Sequence, residues 1–291
     1  MLVESELWPN LILAAKARGG RIALVSARLS PASLARWCRA PASARHILSR
    51  FDLILARDAP AADGLESLGA RVAGLADLKF GAHPLPAAPS ELASLGAALA
   101  GRTVLFAAST HPGEEAILLD AFGAARGGGA SSVLIIAPRH PERGAEIESL
   151  ARARGWRAGR RDAHATLAEL DIYIADTLGE VGLFYRLARL SVIGGSLVEN
   201  GAGGHNPLEP ARLGAPFVAG RDRRAWPVYD DLVRAGGTRL VDEGDLTEVM
   251  RRAIADPSVF GDMGERARVF VEAGDAEAAG AIIPVLDLLK R

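Results

Sequence analysis

The residues whose types and spacing best suit chemistry lie between Gly194 and Pro210, a stretch reading Gly-Gly-Ser-Leu-Val-Glu-Asn-Gly-Ala-Gly-Gly-His-Asn-Pro-Leu-Glu-Pro. It follows a short apolar run of strand type, Leu190 to Ile193, and ends on a helix start. Asn206 suits the N-cap, Pro207 the first helical position, and Glu209 the place from which a carboxylate folds back in a capping box. Five glycines lie between, with Ser196 and His205. Glycine admits positive φ and close approach of a ligand to the main chain, and a helix N-terminus beyond such a loop attracts an anion such as phosphate. Glycine-rich turns of this kind can also bind nothing. The run from His205 to Pro210 is the less common feature and favours a site.

Other residues could join it. Arg139, just past a strand, can grip a phosphate bidentately. Arg143 in the same segment reads instead as half of a surface Arg–Glu pair. Glu180 follows Gly179 at a helix start, where a carboxylate can answer the helix dipole or accept from ribose hydroxyls. His111 and His205 both fall in candidate ligand loops and Ser109 precedes the first of them. No His/Cys/Asp spacing of zinc type accompanies the two histidines, so no metal is expected and capping or substrate contact is the expected role. Glu4 and Glu6 are two apart and share a strand face. They could work as acid and base or could be two surface acids. Lys79 stands at a domain junction.

The elements that must position these groups alternate. Strands are expected at Arg21 to Ala27, Asp52 to Ala56 and Arg71 to Gly74. Further strands are expected at Thr103 to Ala108, Ser132 to Ala137, Asp171 to Ala175, Leu190 to Ile193, Pro216 to Ala219 and Thr238 to Val241, with helices between and after them. That order predicts an α/β protein with parallel sheets, its ligand loops beyond the carboxyl ends of the strands. The segment 81–89 has three prolines and no periodicity, and reads as a linker between a domain over 1–80 and a second over 90–291. Leu2-Val3 resembles the tail of a buried strand.

Composition sets the bounds. The chain has 291 residues, 49% of them apolar, and a net charge of −1. That allows two modest domains and offers no positive excess of the kind that binds nucleic acid. Its one cysteine, Cys38, makes no internal disulfide, which fits a cytosolic compartment, and is expected as a semi-buried small hydrophobe rather than a nucleophile. No apolar run reaches the length of a membrane span and no signal peptide opens the chain.

Six ordered segments together carry a resemblance. They are Glu4 to Asn10, Ser26 to Ser30, Ala108 to Glu115, Pro138 to Arg143, Gly179 to Tyr185 and Gly194 to Pro210. Over essentially its whole length the chain resembles the 3-deoxy-D-manno-octulosonic acid (Kdo) transferases of lipopolysaccharide synthesis. The resemblance implies a GT-B glycosyltransferase of two Rossmann-like domains facing across a cleft. The C-terminal one would bind the donor CMP-Kdo and the N-terminal one would meet a lipid A precursor (lipid IVA). Transfer would invert the anomeric centre without metal or other cofactor, at the cytoplasmic face of the inner membrane. By the family pattern the CMP contacts fall on Pro138 and Arg139, on Gly179, Glu180 and Val181, and on Asn206, Pro207, Leu208 and Glu209. Transition-state-stabilising positions fall on Glu4 or Glu6 and on Lys79. Ser109, His111, Ser196 and His205 are further candidate substrate contacts.

Two departures bear on this. The family's Gly-Asn-Leu-Lys-Phe segment is here Ala76-Asp77-Leu78-Lys79-Phe80, with Asp77 in place of Asn. The family also carries an anchor and a half-domain before the position of Glu4, including a Ser-Val-Gly-Glu segment whose glutamate is the general base. The sequence begins after that point, so the N-terminal domain is expected to be incomplete and transfer impaired while CMP still binds. Two alternatives remain open. One is a non-catalytic nucleotide-binding protein whose sheet is completed by a partner chain at the Leu2-Val3 edge. The other is a GT-B enzyme that uses a UDP-sugar.

Overall fold

A computed structural model of the chain describes residues 1–4, 7–127, 131–199, 202–256 and 258–290. It divides into two compact units, Met1–His83 with Glu272–Arg291, and Pro84–Val271. The boundary at His83/Pro84 falls inside the proline-rich stretch. The last twenty residues differ from the expected division: they belong to the first unit and not to the second, because their apolar side chains cover its sheet.

The first unit runs β1 (Leu2–Val3), α1 (Pro9–Ala17), β2 (Ala23–Ala27), α2 (Pro31–Cys38), α3 (Pro41–Leu48), β3 (Leu53–Ala56), α4 (Ala59–Ser67) and β4 (Gly74–Leu75). The strands form one sheet in the order β1-β2-β3-β4, all parallel. Ala23, Val25, Leu53 and Leu55 face one side, where Val285 packs on them, and Leu24, Ile54 and Ala56 face the other. This is the two-residue alternation of a strand covered on both faces. It breaks at Ser26, whose φ is +56°. The ladder to β3 slips there, and Ala27 lands on the face of Leu24 instead of that of Val25. One extra residue in the strand reverses the alternation. Leu2 and Val3 form a parallel edge strand, with Val3 exposed rather than buried. Cys38 also departs from expectation: it ends α2 and is exposed, because that helix turns its C-terminal turn to solvent.

The second unit runs α5 (Pro89–Ala98), β5 (Thr103–Thr110), α6 (Glu114–Arg126), β6 (Ser132–Pro138), α7 (Gly144–Ala153), β7 (Ala158–Arg160), β8 (Ile172–Ile174), α8 (Val181–Leu187), β9 (Leu190–Ile193), α9 (Leu208–Arg212), β10 (Phe217–Ala219), α10 (Val228–Arg234), β11 (Arg239–Leu240) and α11 (Glu243–Ala255). Two further helices follow, α12 (Gly261–Ala281), which passes into the first unit, and α13 (Ile283–Lys290). The sheet order is β11-β10-β9-β5-β6-β8-β7, all parallel. Leu105, Leu134 and Ile172 face one core, and Phe106, Ile135 and Tyr173 the other. Such strands read as continuous apolar runs because both faces are covered. The strand order reverses between β5 and β9, the place where doubly wound sheets open a crevice at their carboxyl ends.

One ion-pair network pins the amino end of β8. Buried Asp171 accepts from Arg126 at 2.7 Å and from Arg157 at 2.9 Å and 3.0 Å. The Arg157 hydrogen bond, reinforced by Arg126, draws its carboxyl down from the ordinary 3.8 to about 2. A lowered carboxyl stabilises the fold fully above its unfolded value, and that contribution is lost as pH falls from 3.8 toward 2. Asp171→Asn is therefore expected to cost about 2 kcal/mol at neutral pH, with the gap to wild type closing near pH 2. Urea titrations at both pH values check this, and a gap independent of pH would refute it.

Candidate active site

In the second unit the loops leaving β5, β6, β7, β8 and β9 all emerge at one edge of the sheet. Backbone bonds tie them in pairs: Arg139 N–H to Thr110 C=O, Gly194 N–H to Ala108 C=O and Arg161 N–H to Ile174 C=O.

The hub is Glu114, the first residue of α6, which is fully buried. One oxygen accepts from the N–H groups of His111 (2.8 Å) and Gly195 (2.7 Å). The other accepts from Ser196 (2.9 Å) and Leu197 (2.8 Å). A buried carboxylate is tolerable only when so fully bonded, and here it fastens the loop after β9 to the loop after β5. Glycine is required where backbones meet. A Cβ on Gly194 would lie 2.5 Å from Ser109 O, and one on Gly220 only 1.9 Å from Ser196 O. Neither contact can yield, since both partners are main chain. Gly220→Ala is expected to lower stability by about 2–4 kcal/mol, measured by urea denaturation; a midpoint matching wild type would refute it.

On this frame lie His111 and His205. Their rings are near parallel, with centroids 5.0 Å apart and interplanar angle 17°, and meet through their Nε2 atoms, 2.8 Å apart. The His205 ring rests on Gly195, where a Cβ would come within 3.1 Å of it. Tyr229 Oη donates to the His205 carbonyl at 2.9 Å. Burial lowers the pKa of both histidines, that of His205 to about 4, and Arg139 and His140 push the same way. Arg139 is exposed, and among the described residues its guanidinium has no ion-pair partner. Glu209 is near enough to feel Arg139, although burial raises its carboxyl above the ordinary value.

The helix start after the glycine loop is shorter than expected. Asn206 Oδ1 accepts from Leu208 N–H at 3.1 Å, as a cap would. The Glu209 carboxylate takes the Asn206 side-chain amide at 3.4 Å instead of its backbone N–H, so the capping box is not closed. Pro207 precedes α9, which has five residues, and Leu208 is buried. Pro138 is the buried last residue of β6. Gly179 has φ +81° with open space where its Cβ would be, and Val181 begins α8.

Glu180 is held from a residue that sequence reading missed. Arg161 grips both its oxygens at 2.5 Å, Thr177 Oγ1 donates to it as well, and Arg161 also reaches Glu91 at 2.9 Å. The Arg161 bond keeps the Glu180 carboxyl below its ordinary value. Arg161 follows β7, a strand too short and too polar to stand out in sequence.

Ser196 has its hydroxyl taken up within the loop frame. It is buried, its hydroxyl donates to Ile193 C=O at 2.5 Å and accepts from Gly220 N–H at 2.7 Å. The hydroxyl joins the ends of β9 and β10. Ser109 has φ +57°, and no hydrogen bond to its hydroxyl is made among the described residues. Arg143 binds buried Glu115 at 2.6 Å and Glu146 at 2.9 Å, a half-buried bridge rather than a surface pair.

In the first unit Lys79 Nζ lies 3.7 Å from Glu4 Oε1. Glu4 has φ +50°, and its N–H bonds to Val25 C=O at 3.1 Å. Asp77 Oδ1 accepts from Lys79 N–H at 3.0 Å and from Ser26 Oγ at 3.5 Å. Asparagine offers the same oxygen, so the substitution leaves this contact standing. Glu6 lies outside the described residues. Among the described residues no group of three or more His, Cys, Asp or Glu could hold a metal ion, and no helix is long and apolar enough to cross a membrane.

Comparison with known proteins follows the same lines. The family described as 3-Deoxy-D-manno-octulosonic-acid transferase (kdotransferase) matches residues 1–82. The 3-deoxy-D-manno-octulosonic acid transferase of Bordetella pertussis is 32% identical over 298 residues, covering all of this chain and 68% of its own length. That of Rickettsia felis is 34% identical over 224 residues, 76% of this chain and 47% of its own. The C-terminal CMP-Kdo binding domain of WaaA from Acinetobacter baumannii superposes with a TM-score of 0.57 at 30% identity, over 61% of this chain and 94% of that one. The UDP-GlcNAc 2-epimerase of Neisseria meningitidis, at 16% identity and TM-score 0.59 over 96% of this chain and 72% of that one, shares the GT-B fold alone. With two parallel-sheet units, and a relative 32% identical over the whole of this chain and 68% of its own length, the chain belongs to the 3-deoxy-D-manno-octulosonic acid transferase family of glycosyltransferases.

Proposed function

We propose that the second unit binds CMP-Kdo and that the protein transfers Kdo to a lipid A precursor with inversion and without metal. The observation that carries the donor reading is Arg139: an exposed guanidinium without an ion-pair partner among the described residues, at the edge where the β5, β6 and β9 loops converge. A cation left unpaired beside half-buried histidines that resist protonation is suited to a phosphate. In the reaction negative charge grows on the phosphate as CMP departs, and fixed positive potential there stabilises the transition state more than the bound donor. Pro138 sets the position of Arg139 at the end of β6. Gly179, Glu180 and Val181 form the adjoining wall, with Glu180 oriented by Arg161 to accept from the nucleoside. Asn206, Pro207, Leu208 and Glu209 complete the site from the β9 side.

Glu4 and Lys79, which lie within ion-pair distance of each other, are proposed on the family pattern as transition-state-stabilising groups, the carboxylate suited to positive charge at the anomeric carbon. The acceptor places the reaction at the cytoplasmic face of the inner membrane. Calorimetric titration with CMP tests the donor reading. Micromolar binding that UMP does not match supports it, and absence of heat with CMP sinks it. UMP binding as tightly would favour a UDP-sugar donor instead.

A further inference from the structure

We propose that His111 and His205 form a proton-coupled oxyanion site, which closes on a phosphate or carboxylate of the donor only by taking up one proton. The proposal rests on the donor reading above and adds to it a ligand chemistry and a proton.

The geometry dictates the count. Two imidazoles joined Nε2 to Nε2 at 2.8 Å hold one hydrogen between those atoms. The donor ring carries it on Nε2, and the acceptor ring, when neutral, carries its own on Nδ1. In that state neither Nε2 has a hydrogen to offer a ligand. One further proton, placed on the acceptor's Nε2, makes both atoms donors. They can then no longer bond each other, and both need an external acceptor.

The groups around the pair keep that proton away while the site is empty. From the β6 loop Arg139 and His140 add positive potential, with the His140 ring 6.2 Å from that of His111. From α6 Glu114 and Glu115 favour protonation of His111, but both are committed, Glu114 to four N–H groups and Glu115 to Arg143 and Thr110. Burial opposes charge on either ring. An oxyanion supplies both things the empty site lacks, an acceptor for two Nε2–H groups and a charge to offset theirs. Its place, between the β5 and β9 loops, is the reversal of strand order.

Linkage gives the sign. Both histidines are depressed in the empty protein, and a bound anion raises them, so affinity falls as pH rises between the two values, by up to about tenfold per pH unit. The test is calorimetry of the full chain at pH 7 in two buffers of different ionisation enthalpy, which counts protons exchanged. CMP supplies a phosphate without the carboxylate; free Kdo, added to the CMP-saturated protein, supplies the carboxylate without the phosphate. Net uptake of about half to one proton with CMP assigns the oxyanion to the phosphate, and the same uptake only at the Kdo addition assigns it to the carboxylate. Either supports the proposal, as does loss of that uptake in His205→Asn. Binding of CMP and Kdo with no uptake overturns it and leaves the donor reading intact. If CMP does not bind, the donor reading fails separately. Sulfate, which does not titrate, then decides by NMR of the histidine rings: a raised His205 pKa keeps the oxyanion site, and an unmoved one removes it.

Discussion

Glu114→Ala frees the loop after β9 and lowers stability by about 3–5 kcal/mol, the largest single loss expected in the second unit. Four N–H groups, two of them buried and two half-buried, lose their acceptor at once. Glu114→Gln keeps the volume but presents an amide NH2 to two N–H donors, so it is expected to lose most of the same stability. Two readouts separate this from a general core defect. Urea denaturation gives the size, and hydrogen exchange gives the place, with early loss of protection at Gly195, Ser196 and Leu197. A Gln variant as stable as wild type would show that the charge contributes nothing.

Arg139→Ala is expected to weaken CMP binding on the order of 100-fold, equal to about 2.7 kcal/mol, with little change in stability. The two halves of this expectation have one cause. Among the described residues the guanidinium makes no internal ion pair, so its removal leaves no buried carboxylate stranded. Arg139→Lys should recover part of the affinity, since it keeps the charge and loses the planar fork. Calorimetry measures the affinity and thermal unfolding the fold. A drop of less than about threefold in affinity would show that the phosphate is held elsewhere.

Much of the fold was legible because parallel strands covered on both faces are unbroken apolar runs, and Thr103 to Ala108 and Ser132 to Ala137 are short enough, and rich enough in Val, Ile and Phe, to read as strands. What sequence could not supply was pairing at a distance. Ser196 in a glycine loop looks like a ligand contact, and only the approach of Gly220, twenty-four residues on, shows its hydroxyl to be occupied. Arg161 went unseen because its partner Glu180 is nineteen residues away and β7 is three residues long. Glu114 lies in one of the six ordered segments, yet three of its four donors come from more than eighty residues later. The return of residues 272–291 to the first unit had no local signal either, since Val285 is one apolar residue in an ordinary amphipathic helix.

The left-handed serines next to last in β2 and β5 call for different treatment by anyone redesigning this chain. At 26 the hydroxyl is in use, bonded to the Leu78 amide at 3.3 Å, so its awkward backbone comes with a compensating contact. At 109 no such bond exists among the described residues, and glycine would serve the main chain there better than any L-residue. Ser109→Gly is therefore expected to stabilise the fold, and Ser26→Gly to gain less because it gives up the Leu78 contact, a difference that urea denaturation of the two variants measures.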